Sequence, residues 1–337
     1  MNGPDGDHDC GRPRENVRRA SLSTNLAFLI PVKHPARARS YELVMGLLRQ
    51  TLASINNQSA PSYHTYIVCN QAPSWAHSVP NSTFREVSFP PPVGPRGRSE
   101  RYSWVYRDKG CRVAVALDAA QGDGASHVMV VDADDFVSSR LAAHVADNPT
   151  AAGWYMQEGL IYSRLFKIAT VHSDFWRYCG TSHIVRSDLL PARRDFGANP
   201  SLDTVANSFD PWVLEQVLGD HVQWREYFAS NGHTLEALPF IGAVWYADTG
   251  ENSSRAFWRG RRFGPLWGAS LTRSQSEEFR IPVEGRGIGA SLVLRYLRLR
   301  ELLAAKRAAR RRSDRPCDSE EVALGTARDE ALENPDE

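Results

Sequence analysis

His127-Val128-Met129-Val130-Val131-Asp132-Ala133-Asp134-Asp135 is the stretch on which the fold turns. Four apolar residues follow His127 without interruption, which suits a strand buried on both faces. Three aspartates then fall within four positions. In open α/β sheets ligands gather at the carboxyl ends of the strands, so an acidic cluster here stands where a site is built. Carboxylates this close raise each other's pKa unless a cation offsets them. Mg²⁺ and Mn²⁺ favour hard oxygen ligands and complete their shell with one or two carboxylates plus substrate phosphates. Asp132 and Asp134, one residue apart, can face one ion from a loop. That ion would neutralise charge gathering on a leaving diphosphate. The competing reading is that the aspartates cap a helix starting near Phe136, with Asp135 as the cap.

Upstream, Leu26-Ala27-Phe28-Leu29-Ile30-Pro31-Val32 is another apolar run and reads as a buried strand. From Ser40 to Asn56 the apolar residues Leu43, Leu47, Leu48, Leu52 and Ile55 recur at helical spacing. Tyr66-Ile67-Val68-Cys69 is a further short buried strand. Strand, helix, strand in this order is a βαβ unit and implies a parallel sheet. Residues 72–99, rich in Pro, Ser and Gly, read as an irregular loop around a strand at 84–89, and 112–120 reads as a helix. Past Ala151 the chain turns aromatic, with Trp154, Tyr155, Tyr162, Phe166, Phe175, Trp176 and Tyr178 close together. A helix is expected over 211–231 and a strand over 237–245. Trp154, Trp176, Trp212, Trp224 and Trp245 are expected to be mostly core, with one or two free to stack on a sugar ring.

The length of 337 residues accommodates one large domain or two modest ones. A net charge of +1 gives no global field toward nucleic acid or membrane. The cysteines Cys10, Cys69, Cys111, Cys179 and Cys317 form no CxxC pair, so neither a disulfide framework nor a zinc site is expected. Cys69 and Cys111 read as small buried side chains in a reducing cytoplasm. Residues 1–24 hold no apolar run and read as a disordered leader rather than a signal peptide. No stretch reaches the roughly 18 apolar residues of a membrane span, so a cytoplasmic protein is expected. Residues 291–312 read as a basic amphipathic helix, and 313–337 as an acidic disordered tail. Such a helix suits peripheral contact with an anionic membrane carrying lipid-linked acceptors, or simply packs on the domain with its arginine end solvated. Nucleic acid is the less favoured partner.

The ordered motifs resemble family 2 glycosyltransferases of the GT-A type. Phe28-Leu29-Ile30-Pro31-Val32 resembles their opening strand. Asp108-Lys109-Gly110-Cys111-Arg112, followed by Asp132-Ala133-Asp134-Asp135, resembles their central run. Tyr178 to Arg186 is similar to their acceptor-side strand, Gly219-Asp220-His221 with Gly232 to their acidic helix, and Asn252-Ser253-Ser254 to their closing segment. The resemblance spans roughly 26–255. It implies an α/β, Rossmann-like, mainly parallel sheet flanked by helices over 25–290, with a nucleotide half (25–136), an acceptor half (137–290) and a C-terminal helical extension.

The resemblance also implies roles. Pro31, Val32 and Lys33 would line the base and ribose pocket. Asn70 stands where the family has an aspartate contacting the base, which leaves uridine preference open. Lys109 would lie near the nucleotide, Asp132 would contact ribose or metal, and Asp134 would bind Mn²⁺ or Mg²⁺. Asp220 would be the general base of an inverting transfer. Where the family places a late histidine near the metal, either Asp248 would substitute as an oxygen ligand or there would be no third ligand. The implied reaction moves a sugar, as in hexosyltransferases, from a nucleotide-sugar donor to a glycan, lipid-linked or other hydroxyl acceptor. Two alternatives stand beside it. One is a non-catalytic glycan- or nucleotide-binding protein of the same fold. The other is a sugar-phosphate nucleotidyltransferase, although Lys33 to Arg39 lacks the glycines that class needs after its first strand.

Overall fold

A computed structural model describes residues 25–92, 98–164, 167–251 and 268–282. The chain divides into two compact units, 1–287 and 288–337. The second, with the expected basic helix and acidic tail, lies outside the described residues, as do the leader 1–24 and Asn252-Ser253-Ser254.

The opening βαβ unit follows from its apolar spacing. Strand β1 (Leu26–Pro31) is buried at every position. Helix α1 (Tyr41–Ile55) begins at Ser40, whose hydroxyl caps the Leu43 N–H, and it buries Val44, Leu47, Leu48, Leu52 and Ile55. Strand β2 (Tyr63–Cys69) then pairs in parallel with β1. Strand β3 (Ser82–Glu86) pairs in parallel with β2. It ends three residues before the expected 84–89 strand does, where the chain enters Pro90-Pro91-Pro92.

Helix α2 (Arg98–Gly122) extends well before the expected 112–120. Only its C-terminal half carries the buried stripe of Cys111, Ala114, Val115 and Leu117, so apolar spacing marks that half alone. Strand β4 (His127–Val130) is fully buried and pairs in parallel with β1. Asp135 caps no helix: β5 (Phe136–Val137) follows it directly, then α3 (Leu141–Asp147).

The chain continues through β6 (Gly153–Tyr155), β7 (Glu158–Ser163), β8 (Ile168–Ser173), β9 (His183–Arg186) and α4 (Leu202–Ala206). It closes with α5 (Trp224–Ser230), β10 (Glu236–Ala237), β11 (Ala243–Ala247) and α6 (Arg273–Phe279). The main sheet has seven strands in the order β10-β6-β9-β4-β1-β2-β3. Strand β9 runs antiparallel to both neighbours, and every other pairing in this sheet is parallel. A second sheet, β5-β11-β7-β8, packs through Phe136, Leu160 and Val244 against Leu47 and Phe279. This is the mainly parallel, helix-flanked α/β architecture expected from the sequence. Both expected halves contribute strands to one sheet.

Two local expectations are corrected. The helix over 211–231 is broken into a π-helical turn, Val213–Leu218, and α5. At the break Gly219 lies so close to α2 that a Cβ would sit 2.1 Å from the Tyr106 carbonyl oxygen. The strand over 237–245 is split between the two sheets as β10 and β11, because Pro239 has no N–H for a ladder. Trp154, Trp176, Trp224 and Trp245 are buried as expected, but Trp212 is 48% exposed. Cys69 and Cys111 are buried free thiols. Among the described residues no helix is long and apolar enough to cross a membrane.

Candidate active site

The acidic cluster sits at the carboxyl end of β4. Sheet pairing persists to its edge, since the Val131 N–H donates to the Leu29 carbonyl at 2.9 Å. The three aspartates then divide. Asp135 is 2% exposed and is taken up by the fold. Its oxygens accept from the Thr181 hydroxyl at 2.6 Å, the Cys179 thiol at 3.3 Å and the Tyr246 N–H at 3.1 Å. Thr181 Oγ1 also accepts from the Asp132 N–H at 2.9 Å. This knot ties the end of β4 to the approach to β9 and to β11.

Asp132 and Asp134 are half-buried. Asp132 Oδ1 accepts from Lys109 Nζ at 2.7 Å. Burial works to raise the Asp132 carboxyl, but Lys109, with His221 and Lys33 behind it, holds it below the ordinary carboxylate value. For Lys109 burial works downward, and Asp132 and Asp220 outweigh it and raise the ammonium. Asp134 accepts from Thr249 Oγ1 at 3.2 Å. Burial, then the charge of Asp132, push its carboxyl up to about 6. Gly180 makes this arrangement fit: a Cβ there would lie 2.6 Å from Asp132 Oδ2 and 2.9 Å from Lys109 Nζ.

Beside this pair lies a cleft lined by Lys109, Gly180, His183, Asp220, His221 and Trp224. Asp220 follows the π-helical turn, and Trp224 anchors it by donating its indole N–H to the Asp220 carbonyl at 3.0 Å. Its carboxylate accepts from the His221 N–H at 2.7 Å and lies 3.2 Å from the His221 Nδ1. Burial would raise the Asp220 carboxyl, but the His221 bonds and the Lys109 charge hold it below its ordinary value. His183, 2% exposed, is kept neutral chiefly by burial.

The structure thus brings Lys109, Asp132 and Asp220 together, with Asp134 alongside. The other expected residues are differently employed. Pro31 and Val32 are fully buried. Lys33 pairs with Glu251 at 3.1 Å. Asn70 stands at the end of β2, but its Oδ1 accepts from Arg112 and its Nδ2 donates to the Phe89 carbonyl, both at 2.7 Å. Asp248 is exposed, has a left-handed φ of 61° and accepts from the Ser163 hydroxyl at 2.6 Å.

Some residues that matter here carried weak signals. Thr181 and Gly180 lie within the Tyr178–Arg186 motif without a marked role. Glu251 is buried, accepts from the Arg39 and Ser40 N–H groups at 2.9 Å and grips Lys33. Nothing in its local sequence announces a buried carboxylate.

Among the described residues no group of three or more His, Cys, Asp or Glu side chains is arranged to hold a metal ion. Asp132 and Asp134 nevertheless offer the chemistry a hard divalent ion takes. They are two carboxylate groups with one residue between them, and Asp134 is pushed up by burial and then by the charge of Asp132. Mg²⁺ commonly relies on such a pair and fills its remaining positions with water and phosphate oxygens.

No protein-family model matches the chain, and no curated protein matches it by sequence. Among solved structures it is similar to S. aureus TarS 1-349, at 12% identity and a TM-score of 0.37 over 66% of this chain. A complex of the same fragment with UDP has 13% identity and a TM-score of 0.36, also over 66% of this chain. A Desulfovibrio desulfuricans G20 protein named as a nucleotide-diphospho-sugar transferase has 13% identity and a TM-score of 0.30, covering 66% of this chain and 81% of that one. The chain spans 60% of the length of each TarS 1-349 structure.

Proposed function

We propose that this chain is a glycosyltransferase that takes a sugar from a nucleotide-diphosphate donor and passes it, with inversion, to a hydroxyl acceptor. The observation that carries this reading is the convergence of Asp132, Lys109 and Asp220. Lys109 lines a cleft with Asp220 and at the same time pairs with Asp132 at the acidic sheet edge beside it. Asp132 and Asp134 would hold Mn²⁺ or Mg²⁺, which when bound neutralises charge on the diphosphate leaving group. Lys109 adds a fixed positive charge at the same place, independent of the metal. Asp220 is ionised at neutral pH and has an oxygen able to take the acceptor hydroxyl proton as that oxygen attacks. His221 holds Asp220 in place through its backbone N–H.

A second reading is a nucleotide- or glycan-binding protein of the same fold without turnover. The Lys109–Asp132 pair favours it, because an ammonium already occupies one Asp132 oxygen. One experiment separates the two. The chain is titrated with UDP-, GDP-, ADP- and dTDP-sugars with and without Mn²⁺, following donor hydrolysis and thermal stability, since bound ligand raises stability. We expect Mn²⁺-dependent hydrolysis of at least one donor, reduced at least 100-fold in Asp134→Ala. Full turnover in excess chelator would remove the metal role. Donor binding without turnover on any acceptor would favour the binding protein.

A further inference from the structure

Outside the cleft, a second constellation of donors remains without an acceptor. Trp176 sits on a short 3₁₀ turn, Phe175–Arg177, and is 8% exposed. The Arg177 guanidinium carbon lies 4.8 Å from its ring centroid. The Arg225 guanidinium carbon lies 4.7 Å from the same ring and 4.1 Å from the Tyr155 ring. Two like charges therefore share one indole. Among the described residues neither guanidinium has a carboxylate within ion-pair distance. Asp174, on the same turn as Trp176, instead accepts from Gln157 at 3.1 Å. The Trp176 indole N–H is itself buried with no hydrogen-bond partner.

Stacking fixes a guanidinium plane but leaves its N–H edge open to a bidentate oxyanion. The mounts are rigid. Arg225 lies in the first turn of α5 next to the buried Trp224, and Tyr155 ends β6. Surface arginines often merely cover an aromatic ring with their stems. That account leaves the two cations without a counter-charge among the described residues.

We propose that Arg177 and Arg225, carried on the Trp176 ring, form an oxyanion site for a phosphate group. The Trp176 ring lies 6.5 Å from the His183 ring, which lines the cleft beside Asp220. This rests on the transferase reading only for its ligand: on that reading the site would hold the phosphate of an acceptor close to the cleft. The anion site itself is testable without that reading.

The test is titration of the full chain with inorganic phosphate and with glycerol phosphate, read by the arginine Nε–H resonances and by tryptophan fluorescence. Saturable binding is expected, weakened at least tenfold in Arg177→Gln/Arg225→Gln, which keeps much of the stem over the ring. Arg225→Lys is not expected to restore it, because an ammonium presents no fork. Thermal melts confirm that each variant is folded. Absence of saturable binding by wild type, or equal binding by the folded double variant, overturns the proposal. Sedimentation with phosphatidylglycerol against phosphatidylcholine vesicles identifies the source. Co-sedimentation that depends on the two arginines points to a lipid headgroup, and phosphate binding without it points to a soluble ester. Phosphate binding that survives while no nucleotide sugar binds would uphold this site and sink the transferase reading instead.

Discussion

The two sides of the main sheet are built differently. On one side β1, β2 and β4 are mostly apolar, buried almost throughout and joined by segments that carry helices close in sequence. On the other, β9, β6 and β10 have 4, 3 and 2 residues and come from segments spread between 153 and 237. The first side is held by local pattern and nonspecific burial, which tolerate change. The second depends on close backbone approach and on individual polar bonds, so single substitutions there should be costly. The candidate site lies at the seam. Asp132, Asp134 and Asp135 follow β4 on the tolerant side, while Thr181, His183 and Asp220 come from later segments.

Four predictions sharpen or break this contrast. The largest effect is expected from Gly153→Ala at the start of β6. Its φ is 142°, and a Cβ would sit 2.2 Å from the Ile184 carbonyl oxygen. We expect a loss of about 4 kcal/mol or failure to fold, measured by urea unfolding. Next comes Asp135→Ala. It leaves the Thr181, Cys179 and Tyr246 donors unmet in the interior and should cost about 3 kcal/mol. A near-neutral result would mean the knot across the seam is not structural.

The third concerns pH. Burial, with His221 and Arg225 adding to it, holds His183 well below its ordinary 6.5. The unfolded chain then binds a proton that the folded chain refuses, so this residue's contribution to stability declines as pH falls below 6.5. His183→Gln should flatten that part of the stability–pH curve, measured by urea unfolding from about pH 5 to 7. An unchanged slope would contradict a neutral buried imidazole. The smallest effect is expected on the tolerant side. In Gly46→Ala, on the exposed face of α1, the added Cβ meets nothing within 4 Å and should gain about 0.5–1 kcal/mol. Any loss there would blur the contrast between the two sides.

Read from the residues alone, β1, α1, β2 and β4 are legible, because their apolar periods are strong and their partners lie nearby in the chain. The same reading fails where the period continues but the partner changes. Residues 211–231 keep a helical pattern, yet Gly219 packs onto α2 and the helix breaks. Residues 237–245 look like one strand, yet β10 and β11 join different sheets.

By itself, the sequence determined that a parallel α/β sheet forms and that an acidic cluster ends one of its central strands. Both follow from interactions between residues close along the chain. Only the tertiary structure divided the labour among the acids. Asp135 went to the fold, Asp132 to Lys109, and Glu251 to Lys33 across 218 positions. It also set Arg177 and Arg225 over one indole. The reason is physical: a carboxylate or guanidinium takes its role from the charge, donor or ring packed against it, and that partner is chosen by packing between distant segments rather than by neighbours in sequence.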